Sequence, residues 1–204
     1  KTARKAAGNI TRAETAAIFF RLLKEDVRSE NLSKHNDFAD VTEDSWYNTA
    51  VSTMAGMNIL KGRTANSFVP QAPITRAEFA AICARFDSGR AEENSGFTDI
   101  SVIGGKEIER AATLGWVSGY TDGSFHPDAP ITRAEAMTLI NRVLCRMPET
   151  KADLLDSMTK WPDNQPAHGI IWLAGATNSH TYEQKDSKYE TWTALTAEPD
   201  WSKY

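Results

Sequence analysis

Small apolar residues recur at helical spacing in two stretches of this chain, each behind the same polar start. Ala13, Ala16, Ala17 and Phe20 fall at positions i, i+3, i+4 and i+7, and Ala77, Ala80, Ala81 and Ala84 repeat the stripe. Each stripe is led by Ile-Thr-Arg-Ala-Glu, which occurs at Ile10–Glu14, Ile74–Glu78 and Ile131–Glu135. A Thr followed three residues later by Glu, just ahead of an apolar run, is the signature of a capping box, so helices are predicted to start near Thr11, Thr75 and Thr132. Pro73 and Pro130 stand two residues ahead of their threonines and force an extended entry. Shorter helices are predicted near Ser45–Met57, Lys106–Leu114 and Ala167–Ala176. Faces of small side chains let helices approach closely, as a central bundle of the three ITRAE helices requires.

The repeat is longer than five residues. "FVPQAPITRAEFAAICARF" from Phe68 to Phe86 parallels "FHPDAPITRAEAMTLINRV" from Phe125 to Val143, and "FADV" at Phe38–Val41 parallels "FTDI" at Phe97–Ile100. "NILKG" at Asn58–Gly62 and "GWVSG" at Gly115–Gly119 close the helical stretches behind them. One unit therefore reads aromatic-x-Asp, helix, Gly-containing turn, Phe-x-Pro, capping box and a second helix. Asn9–Glu25 supplies a second half-unit, and "WPDN" at Trp161–Asn164 with Ile170–Ala176 supplies a first half. Units of two short helices cannot bury their apolar faces alone, so three equivalents are expected to pack together. The predicted fold is mainly α, a three-lobed pseudo-threefold domain. Residues 1–8 read as a linker, 9–37 as a half-repeat, 38–90 and 91–150 as full repeats, 151–177 as a first half-repeat, and 178–204 as an arm packed on the last lobe. The arm, polar and aromatic without a clear period, reads as a hairpin or irregular segment in which Tyr182, Tyr189 and Trp192 pack inward.

Composition narrows the function classes. A hydrophobic fraction of 41% and a charged fraction of 25% are those of an ordinary folded protein. The net charge of -4 comes without a basic block, which argues against nucleic acid or an anionic membrane surface as the main partner. No apolar run approaches the roughly 18 to 20 residues of a membrane span, and Lys1–Gly8 has no apolar stretch of the secretion-signal kind. Cys83 and Cys145 sit in helical patterns with neither a CxxC nor a histidine pair nearby; they read as buried apolar thiols, with a mutual disulfide as the alternative, and no metal or cofactor is expected. No GxSxG, HExxH or Walker sequence is present, and of His35, His126, His168 and His180, the second and fourth sit in predicted turns where a solvated role is expected. The segment itself is expected to be no enzyme.

Capping explains the repeated motif except for its arginine. Arg12, Arg76 and Arg133 fall in the first helical turn, where the macrodipole disfavours a cation by about 1 kcal/mol or less. A guanidinium beside free helix-start amides is a ready site for a carboxylate or phosphate. The structural alternative is an ion pair with an acidic residue of the neighbouring unit, such as Asp40, Asp99 or Asp163.

These residues resemble the repeats of the S-layer homology family, whose pattern runs F-x-D-x-x-x-x-W…G-x-x-x-G-Y-x-D-G-x-F-x-P-x-x-x-I-T-R-A-E. "GWVSGYTDGSFHPDAPITRAE" from Gly115 to Glu135 follows it nearly position for position, and the likeness covers roughly Asn9 to Ala176. The resemblance implies an extracellular, wall-associated, non-covalent anchor that binds secondary cell-wall polymer or a peptidoglycan-linked glycan, commonly through a pyruvylated sugar. Arg12, Arg76 and Arg133 would meet the ketal carboxylate, with Trp116, Gly119, Tyr120, Asp122 and Trp46 beside them. Self-association in a surface layer, or protein binding without glycan recognition, is the alternative reading. Two units depart from the pattern: in the second, "GRTANSF" at Gly62–Phe68 lacks its Tyr and Asp, and in the one after it "SVIGGKE" at Ser101–Glu107 lacks its Trp. One or two complete grooves are therefore expected.

Overall fold

The structure, a computed structural model, describes residues 7–87, 96–160 and 178–204. All three capping boxes form. Thr11, Thr75 and Thr132 each accept the amide of the Glu three residues on at 3.2 Å, and each returns its own amide to that Glu carboxylate at 2.8–3.0 Å. The helices they start are α1 (Arg12–Leu22), α4 (Arg76–Arg85) and α6 (Arg133–Val143). Between them lie α2 (Glu25–Glu30), α3 (Asn48–Gly56) and α5 (Val102–Thr113). The chain is thus mainly helical, with the predicted starts within a residue or a few of those observed; α2 was not predicted, and the helix expected at Ala167–Ala176 lies outside the described residues.

Two compact units divide the chain. The first joins Asn9–Leu114 with Ser118–Ile131; the second joins Lys1–Gly8, Gly115–Val117 and Thr132–Tyr204. In the first, α1 packs on α3 and α4 on α5. Phe68, Phe79 and Phe125 are 0–1% exposed, each worth about 1.5–3 kcal/mol of burial. Phe19 meets Phe79 at 5.4 Å and Phe86 at 5.5 Å, which ties α1 to α4.

The residues just before the helices close a ring. Ile10 N–H donates to Ile131 O, Ile131 N–H to Ile74 O, and Ile74 N–H to Ile10 O, each at 3.1 Å. The three isoleucines are 0–2% exposed, so these amides have no water to fall back on and the ring satisfies them.

The aromatic-x-Asp motif shapes the turn of its own unit. Asp40 accepts the amides of Phe68 and Val69 at 2.8 Å and the Ser67 hydroxyl at 2.8 Å; Asp99 takes Phe125 and His126 amides at 2.7 and 2.8 Å. Aligning two successive amides on one carboxylate puts Val69 and His126 into left-handed backbone, φ 57° and 55°. Burial alone would raise the Asp40 carboxyl, but the Phe68 amide, the Ser67 hydroxyl and the Val69 amide hold it below the usual carboxylate range.

In the second unit a small sheet follows α6. Strand β1 (Met147–Pro148) pairs in parallel with β3 (Tyr189–Leu195), and β2 (His180–Gln184) pairs antiparallel with β3 on its other side. The arm is therefore a hairpin. Glu190, fully buried, accepts from Arg146 Nε at 3.0 Å and Trp192 Nε1 at 3.1 Å, and lies 2.8 Å from His180 Nε2. His180 stacks on Trp192 at 3.9 Å with its side chain 2% exposed, which corrects the expectation of a solvated turn histidine. Trp192 is buried and Tyr189 half-buried, whereas Tyr182 is exposed beneath the Arg146 guanidinium.

The cysteines divide. Cys83 is buried in α4, and desolvation pushes its thiol up to about 12. Cys145 falls beyond the end of α6, at φ 53° and exposed, so the expectation of two buried thiols is corrected; both are free.

Candidate functional site

The arginines of the first two copies reach the Gly-containing turn of the next unit. Arg12 Nε donates to Phe68 O and Nη2 to Lys61 O, both at 2.7 Å; Arg76 repeats this with Phe125 O at 2.8 Å and Ser118 O at 3.0 Å. Each guanidinium also lies over the ring of that phenylalanine, at 4.5 and 4.7 Å. A flat fork with parallel donors suits two carbonyls and a ring face together, which lysine does not.

The two differ in exposure. Arg12 is 4% exposed, and its third nitrogen, Nη1, pairs with Glu78 at 2.7 Å, so every nitrogen of the guanidinium is engaged by protein. Burial is the largest influence on it and lowers its pKa, against the opposing pull of Glu78. The acidic partner is thus the Glu of the neighbouring capping box and not Asp40, which is occupied by the turn amides. Arg76 is half-exposed, with Tyr120 as a second ring at 5.1 Å. Arg133 is half-buried at the start of α6 in the other compact unit, where its amide donates to Gly8 O at 2.9 Å.

The helix-start amides are taken. Arg12 N and Ala13 N donate to Ala72 O and Pro70 O at 3.0 and 2.9 Å; Arg76 N and Ala77 N donate to Ala129 O and Pro127 O at 2.9 and 3.0 Å. The Phe-x-Pro-x-Ala stretch of one unit therefore caps the helix of the copy before it. The expectation of free amides converging with the guanidinium is corrected: the cation stands without them.

The remaining candidates separate into turn-formers and exposed rings. Gly119 has no space for a side chain, because a Cβ would meet the Phe97 ring and lie 2.6 Å from Ser124 O; Gly62 is equally confined by Phe38 and Ser67 O. Asp122 accepts the Ser124 hydroxyl and amide at 2.5 and 2.9 Å, which lowers its pKa and shapes the turn. Tyr120 is 47% exposed, edge-on to His126 at 4.7 Å. Trp46, 63% exposed, touches Tyr47 and stands in the preceding repeat. Trp116 is half-buried and falls in the other compact unit. The structure thus brings together Arg76, Gly119, Tyr120 and Asp122.

Two participants escaped sequence reasoning. Glu78 serves both its own cap and Arg12. Arg63, in the register of Tyr120, donates Nε and Nη2 to Glu78 at 2.9 and 3.2 Å and Nη2 to Pro73 O at 3.1 Å. Among the described residues no group of three or more His, Cys, Asp or Glu side chains is placed to hold a metal ion, and no helix is long and apolar enough to cross a membrane.

The S-layer homology domain family matches residues 37–80 and 96–137. The chain is 35% identical to a cellulosome-anchoring protein of Acetivibrio thermocellus over 178 residues, 82% of this chain and 40% of that protein. It is 32% identical to cell surface glycoprotein 1 of the same organism over 89% of this chain and 8% of that protein, and 34% identical to an amylopullulanase of Thermoanaerobacterium thermosulfurigenes over 66% and 8%. The chain spans well under half the length of each. The family boundaries run from the Asp-capped turn through the capping box in both full repeats, the same segments that the hydrogen bonds mark out, and the chain belongs to the S-layer homology family.

Proposed function

We propose that this chain is a non-catalytic module that anchors a surface protein outside the cell by holding secondary cell-wall polymer, or a glycan linked to peptidoglycan, through an acidic sugar. A cellulosome-anchoring protein, a cell surface glycoprotein and an amylopullulanase share this segment, which is only 8% of the last two. A module common to such different proteins fits attachment better than any one chemistry. The observation that carries the glycan reading is Arg76. Two backbone carbonyls and two aromatic rings orient its guanidinium while leaving it half-exposed beside Tyr120, an arrangement that suits a carboxylate next to a sugar ring. Arg133 is proposed for the same role in its own repeat, with Trp116 and Trp46 as sugar-facing rings. Arg12, buried on Glu78, is assigned a structural part. The ring of Ile10, Ile74 and Ile131 supports a pseudo-threefold arrangement of the repeats about that point.

The test is binding to purified wall sacculi before and after the secondary polymer is stripped, with Arg76→Gln and Arg133→Gln beside the parent chain. Binding lost on stripping, and weakened tenfold or more in either variant at unchanged melting temperature, is expected; tenfold corresponds to about 1.4 kcal/mol. Binding indifferent to both stripping and substitution would leave the alternative, a protein-binding module in which all three arginines act as Arg12 does.

A further inference from the structure

The second and third repeats build the same turn and then use one serine differently. Ser67 Oγ donates to Asp40, the carboxylate of the aromatic-x-Asp motif, at 2.8 Å. Its counterpart Ser124 donates instead to Asp122 Oδ1 at 2.5 Å, a bond the second repeat cannot make because Ala65 stands in that register. The residue after the phenylalanine differs too: Val69 in the second repeat is His126 in the third. His126 Nε2 lies 3.0 Å from Ser124 Oγ, and its ring meets Tyr120 edge-on at 4.7 Å.

These contacts fix the hydrogens. A carboxylate only accepts, so the single Ser124 hydroxyl hydrogen is spent on Asp122, and Ser124 Oγ must accept from His126 Nε2–H. Nδ1 of the neutral ring is then bare, 3.9 Å from Asp99 Oδ2, and it is the nitrogen that takes a further proton. The groups that face the imidazole are thus Asp99, Asp122 and Tyr120. The Phe125 and His126 amides hold Asp99 below the usual carboxylate range, and the Ser124 hydroxyl and amide do the same for Asp122, so both are charged when the imidazole is protonated. Arg76 lies over the same Tyr120 ring at 5.1 Å, which puts guanidinium and imidazole less than 10 Å apart, within a Debye length at about 0.1 M salt.

We propose that His126 is a positioning residue for the Arg76 site: it holds Tyr120 in place and, on gaining a proton, tightens the hold of the site on an anionic ligand. This regulation rests on the glycan reading of Arg76. Histidine changes its charge between about pH 5 and 8, whereas a sugar carboxylate stays ionised over most of that range, so the complex gains attraction as pH falls. With Val69 at the same register, the turn of the second repeat carries no such response.

Two measurements test this on the whole chain. Without ligand, NMR of carbon-13-labelled tyrosine rings, with Tyr120→Phe for assignment, is expected to show the Tyr120 ring shifting between pH 8 and 5 in the parent and staying still in His126→Gln, which keeps an N–H for Ser124 but no titrating charge. A Tyr120 ring that ignores pH in the parent, or follows it equally in the variant, would overturn the proposal. Binding to wall sacculi is expected to be about threefold tighter at pH 5.5 than at pH 8, less so as salt rises, and flat with pH in His126→Gln. Binding that needs Arg76 but is equally flat in the parent overturns the proposal and leaves the glycan reading standing. Binding that does not need Arg76 overturns the glycan reading instead, while the ring shift, read without ligand, still supports or overturns the contact between His126 and Tyr120. His126→Val, the residue already tolerated at this register in the second repeat, serves as the second variant if the glutamine lowers the melting temperature.

Discussion

At the scale of single residues, the same motif position serves different ends according to what surrounds it. Arg12 and Arg76 share two carbonyls and a phenylalanine ring, yet only the first is sealed from water, because Arg63 and Glu78 close over one side of it. Gly119 shows the converse, a residue of a proposed binding turn whose requirement is steric. A methyl group there enters the Phe97 ring and the Ser124 carbonyl, and backbone cannot move aside cheaply. Gly119→Ala is expected to destabilise the chain by about 1–3 kcal/mol in urea melts, whether or not glycan is present. A stability equal to the parent's with wall binding alone reduced would show that the glycine acts on the ligand instead.

At the scale of elements, what was legible in the sequence was local. Capping boxes need only four consecutive residues, so Thr11, Thr75 and Thr132 announce their helices without reference to the rest of the chain. The partners of the arginines depend on which unit packs next, and no periodicity carries that. α2 has six residues and no side-chain cap, so it leaves almost no signal. The C-terminal hairpin was obscured for another reason: β3 does alternate, but its inward positions are Glu190 and Trp192, and a buried carboxylate reads as a surface residue in any hydropathy pattern. The candidate site was legible as a set of residue types; its geometry, with occupied amides and one buried arginine, was not.

The same hairpin carries a pH dependence. Burial alone would raise the Asp153 carboxyl, but the Thr150 amide and hydroxyl, the Thr191 hydroxyl and the Lys185 ammonium together bring it down to about 2. A carboxyl lower in the folded than in the unfolded state stabilises the fold above its unfolded value near 4, and that contribution fades as pH falls through about 2. Near-UV circular dichroism of Trp192 is expected to lose intensity over this interval, and Asp153→Asn to remove that acid step while lowering stability at neutral pH. An unchanged acid transition in the variant would place the proton elsewhere.

For the molecule as a whole, the ring of three isoleucine amides joins points far apart in the chain. Ile74→Pro deletes one of its donors and leaves Ile10 O without that bond in a place that water does not reach. A loss of about 1–3 kcal/mol beyond that of Ile74→Val is expected in denaturant melts, and a proline no more costly than valine would show the ring to be incidental. The ring also bears on how such a protein changes over generations. In an open array, a repeat can be gained or lost at an end, since each copy touches only its neighbours. Here the last donor returns to the first acceptor, so an additional copy has no vacant group to join and a deletion strands two. Duplication of a single repeat within the ring is therefore disfavoured.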